Sequence, residues 1–305
     1  MTVAVVIPHF GEPGPTLRLT RALAGQADRI VVVDDCSPVP FPPTAGVEVV
    51  RRELNGGFGQ AVNSGVTVVD EQLVLVLNSD VEVGPSFVTD LVAAAAPYQP
   101  CVAAPRVVDP AGRVAETARL FPTVTQQVAE WLTPLARFRD TDRWHEAVGH
   151  DLAALRSADP VQTGWLVGAA LLLPTAALRS VGGFDPRFFM NAEEVDLQRR
   201  LREAGVPSVY VPSVTLVHEG GGSSAPGQRR RWLVEGRWRY AAKWGGRWAG
   251  TVPLAAGLTA ATAVNLLWNG VRRLRGVDVR PLAVARDELR LVGTMRGGTP
   301  PDHAR

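Results

Sequence analysis

The sequence has few cysteines and little net charge, and both absences restrict the class of protein. Its 305 residues include two cysteines, Cys36 and Cys101. Two are too few for a disulfide framework or a cysteine-based zinc site. A reduced, cytoplasmic setting is therefore expected. The formal net charge is only +2, so overall charge gives no reason to expect a nucleic-acid partner.

The N-terminus lacks the features of a secretory leader. Residues 1–8 carry no basic stretch ahead of a long apolar run, and their pattern is that of a strand. The composition, 46% hydrophobic and 20% charged, is that of a folded protein rather than a disordered one. The sequence predicts one large domain, or a domain plus an appendage, that stays inside the cell.

Short apolar runs alternate with helical stretches over the first hundred residues. The predicted strands are 3–7, 30–33, 47–50 and 73–77, with helical patterns near 16–24 and after residue 55. Because these runs are continuously apolar, they favour strands covered on both faces and a mostly parallel sheet in an α/β fold. Segment 106–160 has no regular pattern. A buried run at 164–173, a helix at 192–204 and an apolar run at 206–217 follow.

A basic, tryptophan-rich region follows a glycine- and serine-rich segment, 220–224, that we expect to be flexible. We place the end of the catalytic domain at 225 and a helical region at 226–305. Residues 251–268 are mostly apolar and reach the lower limit for a membrane span, but Pro253, Gly257 and Asn265 interrupt them. Three interpretations remain: a helical appendage folded back on the domain, a helix at the membrane surface, or a single-strand-binding surface. No nucleic-acid fold signature supports the third, so no nucleic-acid partner is predicted.

Acidic residues follow two of the predicted strands, at the edge where parallel sheets bind ligands. Asp34 and Asp35 follow the second strand, where a carboxylate can accept hydrogen bonds from a base or a ribose hydroxyl. An Asx-turn before Ser37 explains them equally well. Asp80 follows strand 73–77, where a carboxylate oxygen suits a divalent cation bound to substrate phosphates. Ordinary turn chemistry is the alternative.

A glycine-rich loop precedes the helix after residue 55. Its sequence is Asn-Gly-Gly-Phe-Gly over residues 55–59, and a helix N-terminus of this kind favours an anion. The spacing does not match a dinucleotide fingerprint.

Carboxylates cluster at the start of the predicted helix 192–204. Repulsion among Glu193, Glu194 and Asp196 would raise the pKa of at least one of them toward that of a general base. The structural alternative is a cap by Asn191 with Glu194, and an ion pair between Asp196 and Arg200.

A histidine, His218, closes the apolar run 206–217. A neutral imidazole there could complete a metal site with Asp80. A purely structural histidine is the alternative.

Taken together, these motifs resemble glycosyltransferase family 2 over about residues 1–225. The matching blocks, in order along the chain, are 5–8, 32–37, 55–65, 75–80 and 181–190, followed by 193–197 and His218. The resemblance implies a GT-A fold with a Rossmann-like, mostly parallel sheet flanked by helices, and a C-terminal helical appendage. It also implies an inverting transfer of a sugar from a nucleotide-diphosphate donor to an acceptor hydroxyl.

The resemblance also implies a role for individual residues. Glu194 falls at the position of the catalytic base, and Asp80 and His218 at positions that bind Mn2+ or Mg2+. The implied donor-binding residues are Pro8, Asp34, Asp35, Asn55, Gly57, Asn63, Asn78 and Asp80. Glu193, Asp196 and Gly168 fall on the acceptor side or support it. Two positions depart from the family pattern: Asn78-Ser79-Asp80 keeps one carboxylate of a D-x-D-like motif, and the base is glutamate where aspartate is usual.

Similar proteins include rhamnosyltransferases of bacterial surface polysaccharides. That similarity implies a deoxythymidine- or uridine-diphosphate sugar, and a glycan or lipid-linked acceptor at the inner face of the cell membrane. A sugar nucleotidyltransferase is one alternative, although the loop 8–13 carries no lysine or arginine. A non-catalytic sugar-nucleotide-binding or scaffold protein is another.

Overall fold

The computed structural model describes residues 1–218 and 226–294. The strands are β1 (Val3–His9), β2 (Arg29–Asp34), β3 (Glu48–Arg51), β4 (Leu73–Leu77), β5 (Val81–Glu82), β6 (Val102–Val108), β7 (Ala118–Arg119), β8 (Val161–Thr163), β9 (Trp165–Leu166), β10 (Ala170–Pro174) and β11 (Ser208–His218). The helices are α1 (Pro13–Leu23), α2 (Phe58–Val66), α3 (Phe87–Ala95), α4 (Val124–Trp131), α5 (Asp142–Ala147), α6 (Leu152–Leu155), α7 (Thr175–Ser180), α8 (Glu193–Glu203), α9 (Pro226–Gly245), α10 (Val252–Leu274) and α11 (Pro281–Thr294).

Eight strands of the central sheet follow the order β3-β2-β1-β4-β10-β6-β11-β5, and a ninth, β8, pairs with β11. The four strands from β3 to β4 are parallel, as the continuous apolar runs predict. The rest is mixed, because β10 runs antiparallel to both β4 and β6 while β11 is parallel to β6. The α/β class is therefore confirmed, with parallel pairing concentrated in the N-terminal half.

Apolar residues on both faces of the central strands explain why helices cover the sheet on both sides. Val5 and Leu75 point into a core shared with α1 and α3. Their neighbours Val6 and Val74 point into a second core shared with α2, α7 and α8. Each fully buried valine or leucine contributes about 1.5–3 kcal/mol, so each strand is held from both faces.

Segment 106–160, which had no regular sequence pattern, forms short elements. They include β7, which pairs with β9 in a separate two-stranded sheet, and the helices α4, α5 and α6. These short elements lie between β6 and β8 and bring Arg119 and α4 toward the start of α8, where they line a common cavity. No element there is long enough to give a periodic signal.

The C-terminal helices pack on the rest of the protein. Helix α10 buries Leu254 and Leu258 in a cluster with Trp131 of α4 and Val292 of α11. Its buried face is also polar. The side-chain nitrogen of Asn265 donates to the Trp131 carbonyl at 2.9 Å, and the side-chain oxygen accepts from the backbone N–H of Thr133 at 2.8 Å. The predicted C-terminal helical appendage is thus present and folded back. The predicted boundary at 225 and the predicted flexibility of segment 220–224 concern residues outside those that the structure describes.

One helical stretch of the described chain, residues 227–274, is long and apolar enough to cross a membrane by length and composition. Its most apolar 18-residue window has 39% of its residues buried inside the protein. The buried Asn265 bonds give α10 an inner face matched to protein partners, as in a helix docked on a domain.

Candidate active site

Strand β2 delivers Asp34 to the carboxyl edge of the sheet, where the protein itself uses both carboxylate oxygens. Oδ1 accepts from the Ser37 amide at 2.8 Å, and Oδ2 accepts from the Phe41 amide at 2.9 Å and from Arg51. Burial alone would raise the pKa of Asp34, but these hydrogen bonds outweigh it and lower the pKa. The local turn predicted as an alternative is therefore present, although Asp34 accepts from the amide three residues on rather than two, as a true Asx-turn would. As a candidate donor-binding group, Asp34 has no oxygen left without a protein partner.

Asp35 holds the glycine-rich loop in place. Its Oδ2 accepts from the Gly57 amide at 2.8 Å, and its Oδ1 accepts from the Gly56 amide at 3.1 Å and from Arg52 at 2.6 Å. Burial raises the pKa of this carboxyl group, and the hydrogen bonds from the loop oppose the rise. Two of the loop amides expected to face an anion are therefore already bonded to Asp35.

Gly57 makes a contact that no other residue could make. Its φ is 82°, and a Cβ atom added there would lie 1.9 Å from the carbonyl oxygen of Phe189. Gly57 thus permits the loop to touch segment 185–192, which precedes the carboxylate cluster. Asn55 accepts from the Gly57 amide at 3.2 Å, so it too helps to shape this loop.

Asn63 on helix α2 fastens the same two regions together. Its amide nitrogen donates to the Phe184 carbonyl at 2.8 Å, and its oxygen accepts from the Phe184 amide at 2.8 Å. The structure therefore gives Asn63 a positioning role. Pro8, half-buried beside Val33 in the β1–β2 register, lies at the same edge of the sheet.

The predicted pair Asp80 and His218 is brought together by strand pairing. Strand β5 pairs with the end of β11 so that His218 lies opposite Val81. The His218 Nε2 atom is 3.1 Å from Asp80 Oδ1, and the Asn78 amide nitrogen is 3.5 Å from the same Nε2. The hydrogen bond with His218 lowers the pKa of Asp80 against the opposing effect of burial.

This pair fits a divalent cation. Neighbouring ligands of an octahedral ion with bonds near 2.1 Å lie about 3.0 Å apart, which matches the separation of the two atoms. Both side chains are partly exposed, with 33% of Asp80 and 21% of His218 accessible, so an ion and its substrate phosphates could reach them. Asp80 offers a carboxylate and His218 an imidazole, both suitable ligands for Mn2+.

Glu193 and Glu194 begin helix α8, but Asn191 does not cap it. The N-cap is Ala192, which makes no side-chain cap hydrogen bond, so the predicted cap and capping box are wrong. The physical reason is backbone geometry: Asn191 and Ala192 have φ angles of 68° and 69°, in the left-handed region. Because of this turn the N-cap is Ala192, one residue after the predicted Asn191.

Both glutamates carry buried oxygens without a hydrogen-bond partner among the described residues. These are Oε2 of Glu193 and Oε2 of Glu194. Burial raises the pKa of Glu194, and burial together with the neighbouring Glu194 charge raises that of Glu193 well above its usual value. The expected repulsion between carboxylates therefore raises the pKa of Glu193, but burial raises it more.

One short segment, Gly168-Ala169, contacts both Glu194 and Asn78. The backbone N–H of Asn78 donates to the Ala169 carbonyl at 3.0 Å. A Cβ atom added to the adjacent Gly168 would lie 3.7 Å from Cβ of Glu194. Glu194 therefore packs beside Gly168, next to the segment that bonds to Asn78 at the end of β4.

Asp196 joins helix α8 to helix α9 through its hydrogen bonds. It is fully buried and accepts from Arg200 at 3.0 Å, as predicted for an i,i+4 pair, and from Lys243 and Trp244 of α9 at 2.9 Å. Lys243 also donates to Asp185 at 2.8 Å. One lysine of the C-terminal region therefore ties together both ends of segment 185–196.

The interleaved tryptophans and basic residues of α9 are explained largely by this packing. The Arg199 guanidinium of α8 lies 4.2 Å from the Trp244 ring, and the rings of Trp232 and Phe189 are 5.2 Å apart. These cation–π and ring contacts join α9 to α8 and to segment 185–192.

A cavity of about 320 Å³ opens beside Glu194. Its polar lining includes Arg119, Gln126, Glu130, Arg237 and Tyr240. None of these was predicted, because Arg119, Gln126 and Glu130 come from the segment without periodicity and the other two lie beyond the expected domain boundary. The arginine-rich composition of the tail was the available signal, and it did not point to this cavity.

Comparison with known families finds a match between residues 4–163 and the model of "Glycosyl transferase family 2". Among curated proteins, the N-acetylglucosaminyl-diphospho-decaprenol L-rhamnosyltransferase of Mycobacterium tuberculosis is 33% identical over 237 residues, covering 71% of this chain and 76% of that protein. The pre-mycofactocin glycosyltransferase of the same organism is 27% identical, covering 71% of this chain and 42% of its own length.

Two solved structures share the fold. The mannosyltransferase PcManGT of Pyrobaculum calidifontis, solved with GDP-Man and Mn2+, has a TM-score of 0.54 at 14% identity and covers 95% of this chain and 84% of its own. GalNAc-T7, solved with UDP, GalNAc and Mn2+, has a TM-score of 0.52 at 17% identity and covers 81% of this chain and 51% of its own. The GT-A fold expected from the sequence is thereby confirmed.

Proposed function

Because the chain belongs to glycosyltransferase family 2, we propose that it transfers a deoxyhexose, rhamnose in the first instance, from a deoxythymidine- or uridine-diphosphate donor to a lipid-linked glycan acceptor. The product is inverted, and the reaction serves cell-envelope or surface polysaccharide synthesis. One observation carries the proposal: Glu194, with a buried unpartnered oxygen and a raised pKa, lies beside the segment that bonds to Asn78, two residues before Asp80.

Glu194 serves as the base in this proposal. It takes the proton from the acceptor hydroxyl while that oxygen attacks the anomeric carbon and the bond to the diphosphate oxygen breaks. A single in-line attack needs the base and the leaving group on opposite faces of the sugar, which inverts the anomeric configuration. A raised pKa suits this role, because a stronger base accepts the proton more readily once it is ionised.

Asp80 and His218 would hold the divalent ion, Mn2+ or Mg2+, on the donor side. When bound, the ion neutralises charge that develops on the diphosphate. Asp35, Asn55 and Gly57 shape the loop against which the donor nucleotide rests, and Asp34 holds the neighbouring turn through Ser37 and Phe41. Asn78 lies next to these ligands, with its side-chain nitrogen 3.5 Å from Nε2 of His218, and would contact the donor there.

The C-terminal helices supply a surface for the membrane that carries the acceptor. Val264, Leu267, Val271 and Leu274 repeat at helical spacing along α10, and all four are exposed. Arg272, Arg273 and Arg275 stand at the end of this stripe. Leucine beside arginine suits the boundary between acyl chains and anionic headgroups, so we place the enzyme at the cytoplasmic face of the cell membrane.

The decisive experiment is a transfer assay with Mn2+, dTDP- or UDP-linked rhamnose and a short-chain N-acetylglucosaminyl diphosphoprenol. Wild-type protein should form a new glycosidic bond of inverted configuration, and a chelator should abolish its formation. Donor binding without transfer or donor hydrolysis would support the scaffold alternative. Incorporation of pyrophosphate into a nucleoside triphosphate would point to a nucleotidyltransferase instead.

A further inference from the structure

We propose that Arg119, oriented by His150, binds phosphate oxygens of the acceptor in the cavity beside Glu194. This inference rests on the proposed function, because it names the chemistry of the acceptor that reaches the base: a sugar joined to a phosphate or diphosphate. The proposal assigns Arg119 a binding role and His150 a positioning role.

Arg119 is a cation in the cavity lining without a carboxylate partner. Its Nε donates to the Glu116 carbonyl at 3.3 Å, and its Nη2 donates to His150 Nε2 at 2.6 Å. Among the residues that the structure describes, no aspartate or glutamate oxygen lies within 4.0 Å of this guanidinium. Buried cations are ordinarily paired or bound to a ligand, so an unpaired one facing a cavity indicates an anionic ligand.

The partner that holds Arg119 is uncharged. Because a guanidinium can only donate, His150 Nε2 must accept, which places the ring proton on Nδ1. That Nδ1–H donates a hydrogen bond to Nδ1 of His145, 2.8 Å away. Burial, together with the charges of Arg119 and His145, lowers the pKa of His150 to about 3. His150 therefore fixes the direction of the guanidinium and leaves its positive charge for a ligand.

The same hydrogen bonds decide against a metal at this place. Glu116, His145 and His150 offer ligand atoms within 4.8 Å of one another, a spacing that could suit an ion. An ion on the two Nδ1 atoms would require a proton on His150 Nε2, opposite the donating Arg119. It would also add a divalent charge beside a guanidinium.

The other charged side chains that line the cavity are Arg237, Glu130 and Glu194. Arg237 forms an ion pair with Glu130, so these two charges offset each other. Glu194 is the remaining acid of the described lining; the Arg119 charge lowers its pKa against the effect of burial, but no hydrogen bond or ion pair joins the two side chains. Among the described lining residues, Arg119 is thus the cation available to an incoming anion.

The shape of the site favours phosphate. A planar guanidinium presents parallel N–H groups that match two phosphate oxygens. Trp165 lies against the guanidinium, with its ring centre 5.9 Å away, while Val167 and Leu233 add apolar wall. A cavity of about 320 Å³ falls within the size range of small-molecule sites.

The test measures binding of inorganic pyrophosphate by calorimetry, with a chelator present so that the metal site stays empty. Wild-type protein and Asp80→Asn should bind equally, whereas Arg119→Gln should bind at least about tenfold more weakly. His150→Gln keeps a neutral acceptor and should retain affinity. His150→Glu leaves Arg119 in place but neutralises it and should lose affinity. Affinity that follows Asp80, or that survives both Arg119→Gln and His150→Glu, overturns the proposal.

Kinetics provide a second readout. Arg119→Gln should raise KM for the diphosphate-linked acceptor and leave KM for the donor unchanged, while a phosphate-free glycoside of the same sugar should be used equally by both proteins. An equal loss with the phosphate-free glycoside would contradict phosphate binding. If wild-type protein transfers no sugar yet binds pyrophosphate through Arg119, the proposed function fails and the anion site stands.

Discussion

The Nε2 atom of His218 lies 3.1 Å from Oδ1 of Asp80 although 138 residues separate them in the sequence. The pairing of β5 with the last residues of β11 produces this contact. It joins a loop that follows an inner strand to the end of a strand near the far edge of the sheet. Neither residue indicates the other from sequence spacing alone.

The first prediction concerns these two residues. Asp80→Asn should weaken Mn2+ binding by roughly tenfold or more, because an amide replaces the charged ligand. His218→Gln should have a smaller effect in the same direction. Thermal shifts across a Mn2+ titration with a nucleoside diphosphate measure both. Asp109→Asn, in an exposed ion pair elsewhere, serves as a charge-matched control. Mn2+ binding that is unchanged in Asp80→Asn would place the ion elsewhere.

The second prediction concerns the base. Glu194→Gln cannot accept the proton and should reduce kcat by roughly 100-fold or more, with donor affinity retained. The pKa of Glu194 is raised, so the acidic limb of the wild-type kcat profile should lie above pH 4.5. Single-turnover assays over a pH series measure both effects. Glu193→Gln is the matched control, since it removes the adjacent charge; if it alone abolished transfer, the role of base would pass to Glu193.

The third prediction links Glu193 to stability. Because its pKa is raised in the folded state, the folded protein binds this proton more tightly than the unfolded chain does. The stabilisation is full below pH 4.5 and is lost as pH rises through the folded-state pKa. Glu193→Gln should therefore become more stable than wild type at pH 8, by about 1 kcal/mol or more, with a smaller gap at pH 5. Denaturant melts at the two pH values measure the gap, and a gap that shrinks with pH would contradict the burial argument.

The fourth prediction concerns the link between Lys243 and Asp196. Lys243→Met should destabilise the protein by about 3 kcal/mol, because it removes one partner of a buried charge. Arg156→Met breaks an exposed ion pair with Asp142 and should leave stability nearly unchanged. Thermal melts compare the two. Equal, small effects would mean that Arg200 and Trp244 satisfy Asp196 without the lysine.

The fifth prediction concerns the exposed stripe of α10. Leu267 is 72% exposed and Leu274 89% exposed, so Leu267→Glu with Leu274→Glu should fold normally. The pair should reduce co-sedimentation with phosphatidylglycerol vesicles by about tenfold. Val39→Glu with Leu54→Glu places the same charges on exposed positions of the sheet domain and should not change it. Equal vesicle binding by all three proteins would remove the membrane role of this surface.

The strands of the N-terminal half and the pairing of Asp196 with Arg200 were predictable because their signals are local. A continuous apolar run such as 73–77 indicates by itself that the strand is buried on both faces. An i,i+4 ion pair depends only on the helix that carries both residues. The antiparallel insertion of β10 was not predictable, since strand order depends on contacts across the sheet. The predicted cap was wrong, because Asn191 and Ala192 adopt left-handed φ angles that the residue types at a cap do not reveal.

The site residues divide in the same way. Asp80 and Glu194 could be chosen from their positions beside predicted elements and from a family resemblance. Arg119 could not, since its importance arises from the partner it lacks and from the neutral histidine that holds it. Asn63 and Asp35 turned out to bind the protein's own backbone, a distinction that residue type alone does not make.

The attachment of α9 to α8 has a consequence for synthesis of the chain. Asp196 obtains two of its partners from residues 243 and 244, and Gly236 approaches the Asn191 carbonyl so closely that an added Cβ atom would lie 2.5 Å from that oxygen. Segment 185–196 can contact Gly57 and Arg200 before α9 is made, but the contacts with residues 236, 243 and 244 form only after these residues leave the ribosome. A nascent or truncated chain that ends before α9 would therefore leave the buried Asp196 with Arg200 but without Lys243 and Trp244.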